Sequence, residues 1–316
     1  MDILVYLRST FCTLCFTVII CVFLSLFPTY KASADIALLV HGFDSNASTW
    51  QHSGISQSLH QKGWNYKGVL IADNINTVKF LPISTGIPTD LLMLVAKTFP
   101  HHKLYNANLA SRAPLKIQAQ QLIAIIHWLN KAHPYEPVYL VGHSVGGLVA
   151  RYAVVQMFLR PIENPITNPI AGLITIASPH LGTIRAVEAI DDAYDTPSFC
   201  PGPGWDFILD VFGGYEYDLV RDSEILLSEL FPSRPNNLLF WLNRQPHPEI
   251  PYFSVVRSSA HGLGDAIVPG YSQDMNNILA LQGQSITLFS DSGHFLNPYD
   301  SIIIYELLDI LTSTKF

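Results

Sequence analysis

Cysteine is nearly missing from most of this chain. Three of the four, Cys12, Cys15 and Cys21, fall within the first 21 residues, and Cys200 stands alone between residues 35 and 316. A segment with one thiol cannot close an internal disulfide, so its fold must rest on packing and hydrogen bonds. No base adjoins Cys200, which reads as an inert thiol. Charge is scarce as well: 14% of residues are charged against 49% hydrophobic, and the 18 basic residues are outnumbered by 25 acidic ones. Without Asp2, Arg8 and Lys31 the balance is 16 to 24, a net of −8. This sign gives no electrostatic reason to bind nucleic acid or anionic lipid. The apolar share suits one large globular domain with a substantial core.

Part of that apolarity lies at the amino terminus. No residue from Ser9 to Tyr30 is charged, Arg8 precedes the stretch, and Ala32-Ser33-Ala34 offers small residues for cleavage. Residues 1–34 therefore read as a secretory signal peptide, which implies a secreted or otherwise exported protein beginning at Asp35. The alternative is an uncleaved membrane anchor through residues 9–30, since the charge-free stretch is long enough to span. Against an anchor, Ile36-Ala37-Leu38-Leu39-Val40 looks like a core strand and leaves no linker. Val18-Ile19-Ile20-Cys21 lacks the small residue that precedes a lipidated cysteine.

The rest is organised around Gly142-His143-Ser144-Val145-Gly146-Gly147. A short apolar run, Pro137 to Val141, leads in as a strand, and Leu148 to Val155 continues as a helix. Strand, tight turn, helix is the setting in which Gly-x-Ser-x-Gly forms a nucleophile elbow, with a serine on a strained turn and small neighbours that let strand and helix pass closely. The N–H groups at the helix start then face the serine and can stabilise an oxyanion.

Around this centre, the strand of residues 36–40 runs into His41-Gly42-Phe43. Trp50 to Lys62 reads as a helix, Trp64 to Ile71 as a strand, and Lys116 to Ala132 as an amphipathic helix. The segment from Asn74 to Ala113, with Pro82, Pro88 and Pro100, is harder to read, with a short helix at Leu91 to Val95; the pair His101-His102 fits a solvated loop better than a metal site. Ile170 to Ala177 is a further strand and ends in Ser178-Pro179-His180-Leu181-Gly182-Thr183. Alternation of strands and helices over some 280 residues predicts a doubly wound α/β fold with its site at the carboxyl ends of the strands. Between Ile184 and Asn243 that rhythm breaks. Residues 196–204 are rich in turn formers, and Trp205, Ile208, Leu209 and Phe212 follow at one-face helical spacing, so this insert is either a lid over a pocket or a fixed cap.

His-Gly-Phe, Gly-His-Ser-Val-Gly-Gly-Leu-Val-Ala-Arg-Tyr and Ile-Ala-Ser-Pro-His-Leu-Gly-Thr, in this order, resemble the lipase and serine-esterase branch of the α/β-hydrolase family. The resemblance implies a mostly parallel sheet, Ser144 as nucleophile, an oxyanion hole at the N–H groups of Phe43 and Val145, and an acid and a histidine late in the chain, in that order. His294, in Asp291-Ser292-Gly293-His294-Phe295 just past the strand Ser285 to Phe289, fits the histidine better than His261. Asp265, in Gly264-Asp265-Ala266-Ile267-Val268-Pro269 after the strand Tyr252 to Val256, fits the acid better than Asp274, read as a surface residue, or Asp291, read as holding a loop. His143 and His180 read as packing and turn residues. The chemistry implied is hydrolysis of an acyl ester or lipid through an acyl-enzyme, with no cofactor or metal and with transient lipid-interface contact through a lid. An acyl thioesterase or acyltransferase would use the same residues, and a silent binding protein could keep the fold.

Overall fold

A computed structural model of the chain describes residues 34–74, 77–83, 102–160, 169–195, 216–259 and 262–313. The signal segment, the Leu91 to Val95 helix, His101, Cys200, the helix of residues 205–212 and His261 lie outside them. Residues 34–316 form one compact unit.

The strands are β1 (Ile36–Val40), β2 (Trp64–Asn74), β3 (Thr77–Pro82), β4 (His102–Asn108), β5 (Val138–His143), β6 (Ile170–Ile176), β7 (Tyr252–Ser259), β8 (Gly262–Leu263) and β9 (Ser285–Ser290). They form one sheet in the order β3-β2-β4-β1-β5-β6-β7-β8, with β9 also paired to β7. Among the described strands, only the β2–β3 and β7–β8 pairs are antiparallel. The described α-helices are α1 (Thr49–His52), α2 (Ile55–Gln61), α3 (Leu115–Ala132), α4 (Val145–Leu159), α5 (Ile184–Asp195), α6 (Glu216–Glu229), α7 (Leu238–Leu242), α8 (Gly270–Gln273) and α9 (Asp300–Ser313), and two 3-10 turns, Met275–Asn277 and Leu279–Leu281, lie between α8 and β9.

Both faces of the sheet are covered, which explains why β1, β5 and β6 read as largely continuous apolar runs. Ile36, Leu38 and Val40 of β1 face a core shared with α3, α4 and α6, while Ala37 and Leu39 face a second core shared with α1, α2 and α9. β5 alternates in the same way, with Val138 and Leu140 on the first side and Tyr139 and Val141 on the second. All these residues are buried, and a fully buried aliphatic side chain contributes roughly 1.5–3 kcal/mol. The alternation therefore fixes the register of the two strands that aim His41 and Ser144.

Two sequence expectations need correction, and one segment hard to read in the sequence resolves into strands. The helix expected over Trp50 to Lys62 is two helices, broken at Gly54, whose φ of 76° is left-handed. The segment between Asn74 and Ala113, hard to read in the sequence, contains β3 and the central strand β4. Asn106 is fully buried in β4, and its amide donates to Ala47 O at 3.0 Å and to Tyr66 Oη at 3.2 Å. Such a polar, internally satisfied residue in mid-strand erases the apolar signal while leaving the strand stable. His102, expected in a solvated loop, opens β4, where its Nδ1 lies 3.0 Å from Asp35 Oδ2 and its ring stacks on Trp64. Among the described residues no cluster of His, Cys, Asp and Glu could hold a metal ion, and no helix is long and apolar enough to cross a membrane.

Candidate active site

The turn between β5 and α4 is shaped by what its glycines permit. A Cβ on Gly142 would lie 2.4 Å from Gly147 Cα, and a Cβ on Gly146 would lie 2.2 Å from His41 O. Strand and helix therefore pass in backbone contact, and β1 is drawn against the start of α4. Ser144 takes the strain, with φ 52° and ψ −129°, a conformation that costs on the order of 1–3 kcal/mol and persists only when its surroundings impose it. Its N–H donates to Ile176 O of β6 at 2.8 Å. Val145, the first residue of α4, has an N–H with no acceptor inside the helix.

His41 fixes the neighbouring loop. Its Nδ1–H donates to Gly42 O at 3.0 Å and its Nε2 accepts from Leu109 N at 3.0 Å. Burial, opposed by the Gly42 bond, pushes its pKa down to about 4, so the ring is neutral and this tautomer is the one that satisfies both partners. Phe43 follows at the cavity wall.

The structure brings Ser144, His294 and Asp265 together from three separate parts of the chain. Ser144 Oγ lies 2.9 Å from His294 Nε2, and His294 Nδ1 lies 2.9 Å from Asp265 Oδ2. With the Nδ1 proton directed at the carboxylate, Nε2 is left to accept from the serine hydroxyl. Asp265 Oδ1 accepts the N–H groups of Ile267 and Val268 at 2.8 and 2.7 Å. Burial works against the charge on Asp265, but the His294 bond, the His294 charge and these two N–H donors outweigh it and hold the carboxyl below its ordinary range. Asp274 lies elsewhere and is not a surface residue: half-buried, it accepts from Asn276 N at 2.9 Å and Thr287 Oγ1 at 2.8 Å. Asp291 is exposed.

His143 and His180 do not face Ser144 Oγ as proton carriers. His143 donates from Nε2 to the carbonyl of His294 at 2.8 Å, which ties the elbow to the histidine loop. Burial and then the His294 ring push its pKa down to about 3. His180 is buried with Nε2 3.1 Å from Thr175 Oγ1, and burial, Arg151 and His247 keep it neutral.

A cavity of about 450 Å³ opens onto Ser144. One wall is apolar: Ala186 of α5, Leu227 of α6 with Leu230 just beyond it, and Ile267 and Val268 of the acid loop. Ser45, Thr49, His52 and Ser53 also line the cavity. The α6 wall is anchored to the core. Glu229 accepts the Leu115 N–H at the start of α3 at 2.6 Å, and Thr183 N donates to Leu230 O at 2.9 Å. Sequence reading did not single out Gln273, Arg257 or Asp300, which surround Asp265 and the histidine loop; the one available signal was a charged residue, Arg257, directly after the strand-like run Tyr252 to Val256.

Residues 115–191, from the start of α3 into α5, match the family described as "Putative serine esterase (DUF676)". Among solved structures, the product of the gene lin2722 from Listeria innocua is similar over 90% of this chain and 95% of that one, at 15% identity and a TM-score of 0.55. Bacillus licheniformis lipase BlEst2 in mature form is similar over 89% and 94%, at 12% identity and 0.51. A lipase-esterase related protein from Clostridium acetobutylicum is similar over 88% and 95%, at 10% identity and 0.51. The chain has the α/β-hydrolase fold. No curated protein sequence matches it. At these identities the likeness establishes the hydrolase fold, while the chemistry has to be argued from the residues.

Proposed function

We propose that this protein is an exported serine hydrolase of carboxylic acyl esters, lipase-like in its apolar acyl site. The observation that carries the reading is the chain Ser144 Oγ, His294 Nε2, His294 Nδ1, Asp265 Oδ2, with both hydrogen bonds at 2.9 Å, at the floor of a largely apolar cavity. Ser144 Oγ attacks the acyl carbonyl as His294 Nε2 takes its proton, and Asp265 stabilises the imidazolium that forms. The N–H groups of Val145 and Phe43 receive the oxyanion, each contributing roughly 3 kcal/mol to the barrier reduction. The tetrahedral intermediate collapses, the leaving alcohol takes the proton from His294, and water then cleaves the acyl-serine by the same steps. Ala186, Leu227 and Leu230 receive the acyl chain, and the α6 part of the insert is a fixed wall. Export follows cleavage between Ala34 and Asp35.

The test is a panel of acyl esters and acyl thioesters of graded chain length, run on wild type and Ser144→Ala. Ester turnover with a loss on the order of a millionfold in the folded Ser144→Ala protein is expected. A variant that keeps more than a few per cent of activity removes Ser144 from the mechanism, and turnover confined to thioesters replaces the ester reading by the thioesterase one.

A further inference from the structure

Resting on the reading of Ser144, His294 and Asp265 as the reactive chain, we propose that Gln273 is a positioning residue and that Arg257 is the single root from which both the acid loop and the histidine loop are set. The amide of Gln273 is 1% exposed and its orientation is dictated by its partners. Its Oε1 accepts the backbone N–H of Arg257 at 2.8 Å, so its Nε2 faces Asp265 Oδ2 at 3.1 Å and Val268 O at 2.7 Å. A flipped amide would set oxygen against oxygen at two contacts and N–H against N–H at the third. The Asp265 carboxylate is therefore held by four donors, with Ile267 and Val268 on one oxygen and Gln273 and His294 on the other. Three of these are present whatever the histidine does. They fix the rotation of the carboxylate before His294 meets it.

The side chain of Arg257 does the same for the histidine. Wholly buried, it forms a two-pronged pair with Asp300 at 2.7 and 3.0 Å and donates to Ser290 Oγ at 3.1 Å. Ser290 is the last residue of β9 and Asp300 the first of α9, so one guanidinium pins both ends of the nine-residue loop that carries His294. Asp300 Oδ2 also accepts Asn297 N at 2.9 Å from within that loop. The backbone of Arg257 thus sets the acid and its side chain sets the base. Among the described residues, the charged or titratable groups around the acid–base pair are His143, Arg257, Asp300 and Arg185, whose Nε donates to Ala266 O at 3.1 Å.

Gln273→Leu removes all three hydrogen bonds of the amide, and Gln273→Glu keeps the acceptor for Arg257 N–H while placing a carboxyl against Asp265. For Gln273→Leu, kcat falls about 10- to 100-fold with KM within about twofold, the size expected when a reacting group is misplaced without loss of substrate contacts. For Gln273→Glu, a negative charge added beside the acid–base pair favours its protonated form, and the acid limb of kcat/KM moves up by about one pH unit. The His294 Nδ1–H proton resonance, followed by NMR, weakens or shifts in both variants, and this reads the hydrogen bond without turnover. A folded Gln273→Leu with wild-type kcat, or a Gln273→Glu with an unmoved acid limb and an unmoved Nδ1–H resonance, overturns the inference. Asp265→Asn separates the two levels: if it is fully active the triad reading fails, whereas an inactive Asp265→Asn beside normal Gln273 variants sinks only the positioning role.

Discussion

The two halves of the candidate site are built by opposite means. On the nucleophile side, Ser144 is aimed by backbone crowding: Gly142 against Gly147, and Gly146 against the His41 carbonyl, with apolar strands on both flanks. On the acid and base side, Asp265 and His294 are aimed by buried polar side chains, Arg257, Gln273 and Asp300, joined in one hydrogen-bonded network. Backbone crowding tolerates no added atom, and a polar network tolerates no altered partner. The two sides should therefore fail differently when disturbed, the first by unfolding and the second by misdirection or by an uncompensated charge.

The sharpest probe of the polar side changes one atom. Asp265→Asn keeps the shape of the carboxylate but offers His294 the wrong partner, and a loss of about 10⁴ in kcat is expected, near 5.5 kcal/mol of barrier. Asp274→Asn and Asp291→Asn should stay within a few-fold of wild type, because neither residue is bonded to His294. The stability effect carries a sign. A carboxyl whose folded pKa is depressed stabilises the fold above its unfolded value, about 3.9, and loses that contribution as pH falls through the lower folded value. Urea titrations of wild type and Asp265→Asn should differ most near neutral pH and converge only below about pH 4. Equal midpoints at pH 7 would contradict it.

The matching probe of the backbone side adds one carbon. Gly146→Ala puts a Cβ 2.2 Å from the His41 carbonyl oxygen, where only a shift of β1 against α4 can relieve the overlap. More than about 4 kcal/mol of destabilisation is expected, enough to unfold many domains. A soluble, cooperative Gly146→Ala protein with the wild-type melting temperature would mean that the elbow is looser than these contacts imply.

That difference also explains what could be read from the sequence. Backbone crowding leaves glycines at fixed offsets, so Gly142, Gly146 and Gly147 announce the elbow, and continuous apolar runs announce β1, β5 and β6. The polar network leaves no such trace. Arg257, Gln273 and Asp300 are 16 to 43 residues apart and ordinary by type, and their pairing exists only once β7, α8 and α9 have packed. β4 was hidden for the same reason, because the buried Asn106 makes a central strand look like a loop. The break at Gly54 lay in plain sight, but a lone glycine in a helical pattern is compatible with either one helix or two.

Within the network, breaking the ion pair should cost less than altering the acid but more than any surface change. Arg257→Met leaves Asp300 buried without its cation, and about 3–5 kcal/mol of destabilisation is expected. Arg257→Met with Asp300→Leu removes both charges and should recover most of that stability, yet leave kcat low because Ser290 and Asn297 lose their anchors. Chemical denaturation gives the first quantity and steady-state kinetics the second. Recovery of activity together with stability in the double variant would reduce Arg257 to a packing role.

The smallest effect is expected where the cavity wall meets the core. Glu229 closes α6 and accepts the Leu115 N–H at the start of α3, a place where the helix dipole favours a negative charge. Burial acts the other way and is the larger influence, since the net result is a carboxyl held above its ordinary range. An acid with a raised folded pKa is penalised once the unfolded chain ionises, so its contribution to stability declines as pH rises through the unfolded value, about 4.3, toward the folded one. Glu229→Gln keeps an oxygen for Leu115 N and removes the charge. Its melting temperature should therefore equal or slightly exceed that of wild type at pH 7, and the difference should vanish below about pH 4. A marked loss of stability at pH 7 would show that the charge on the α3 terminus outweighs its burial, and that the wall beside Leu227 and Leu230 is fastened electrostatically, like the acid and base side.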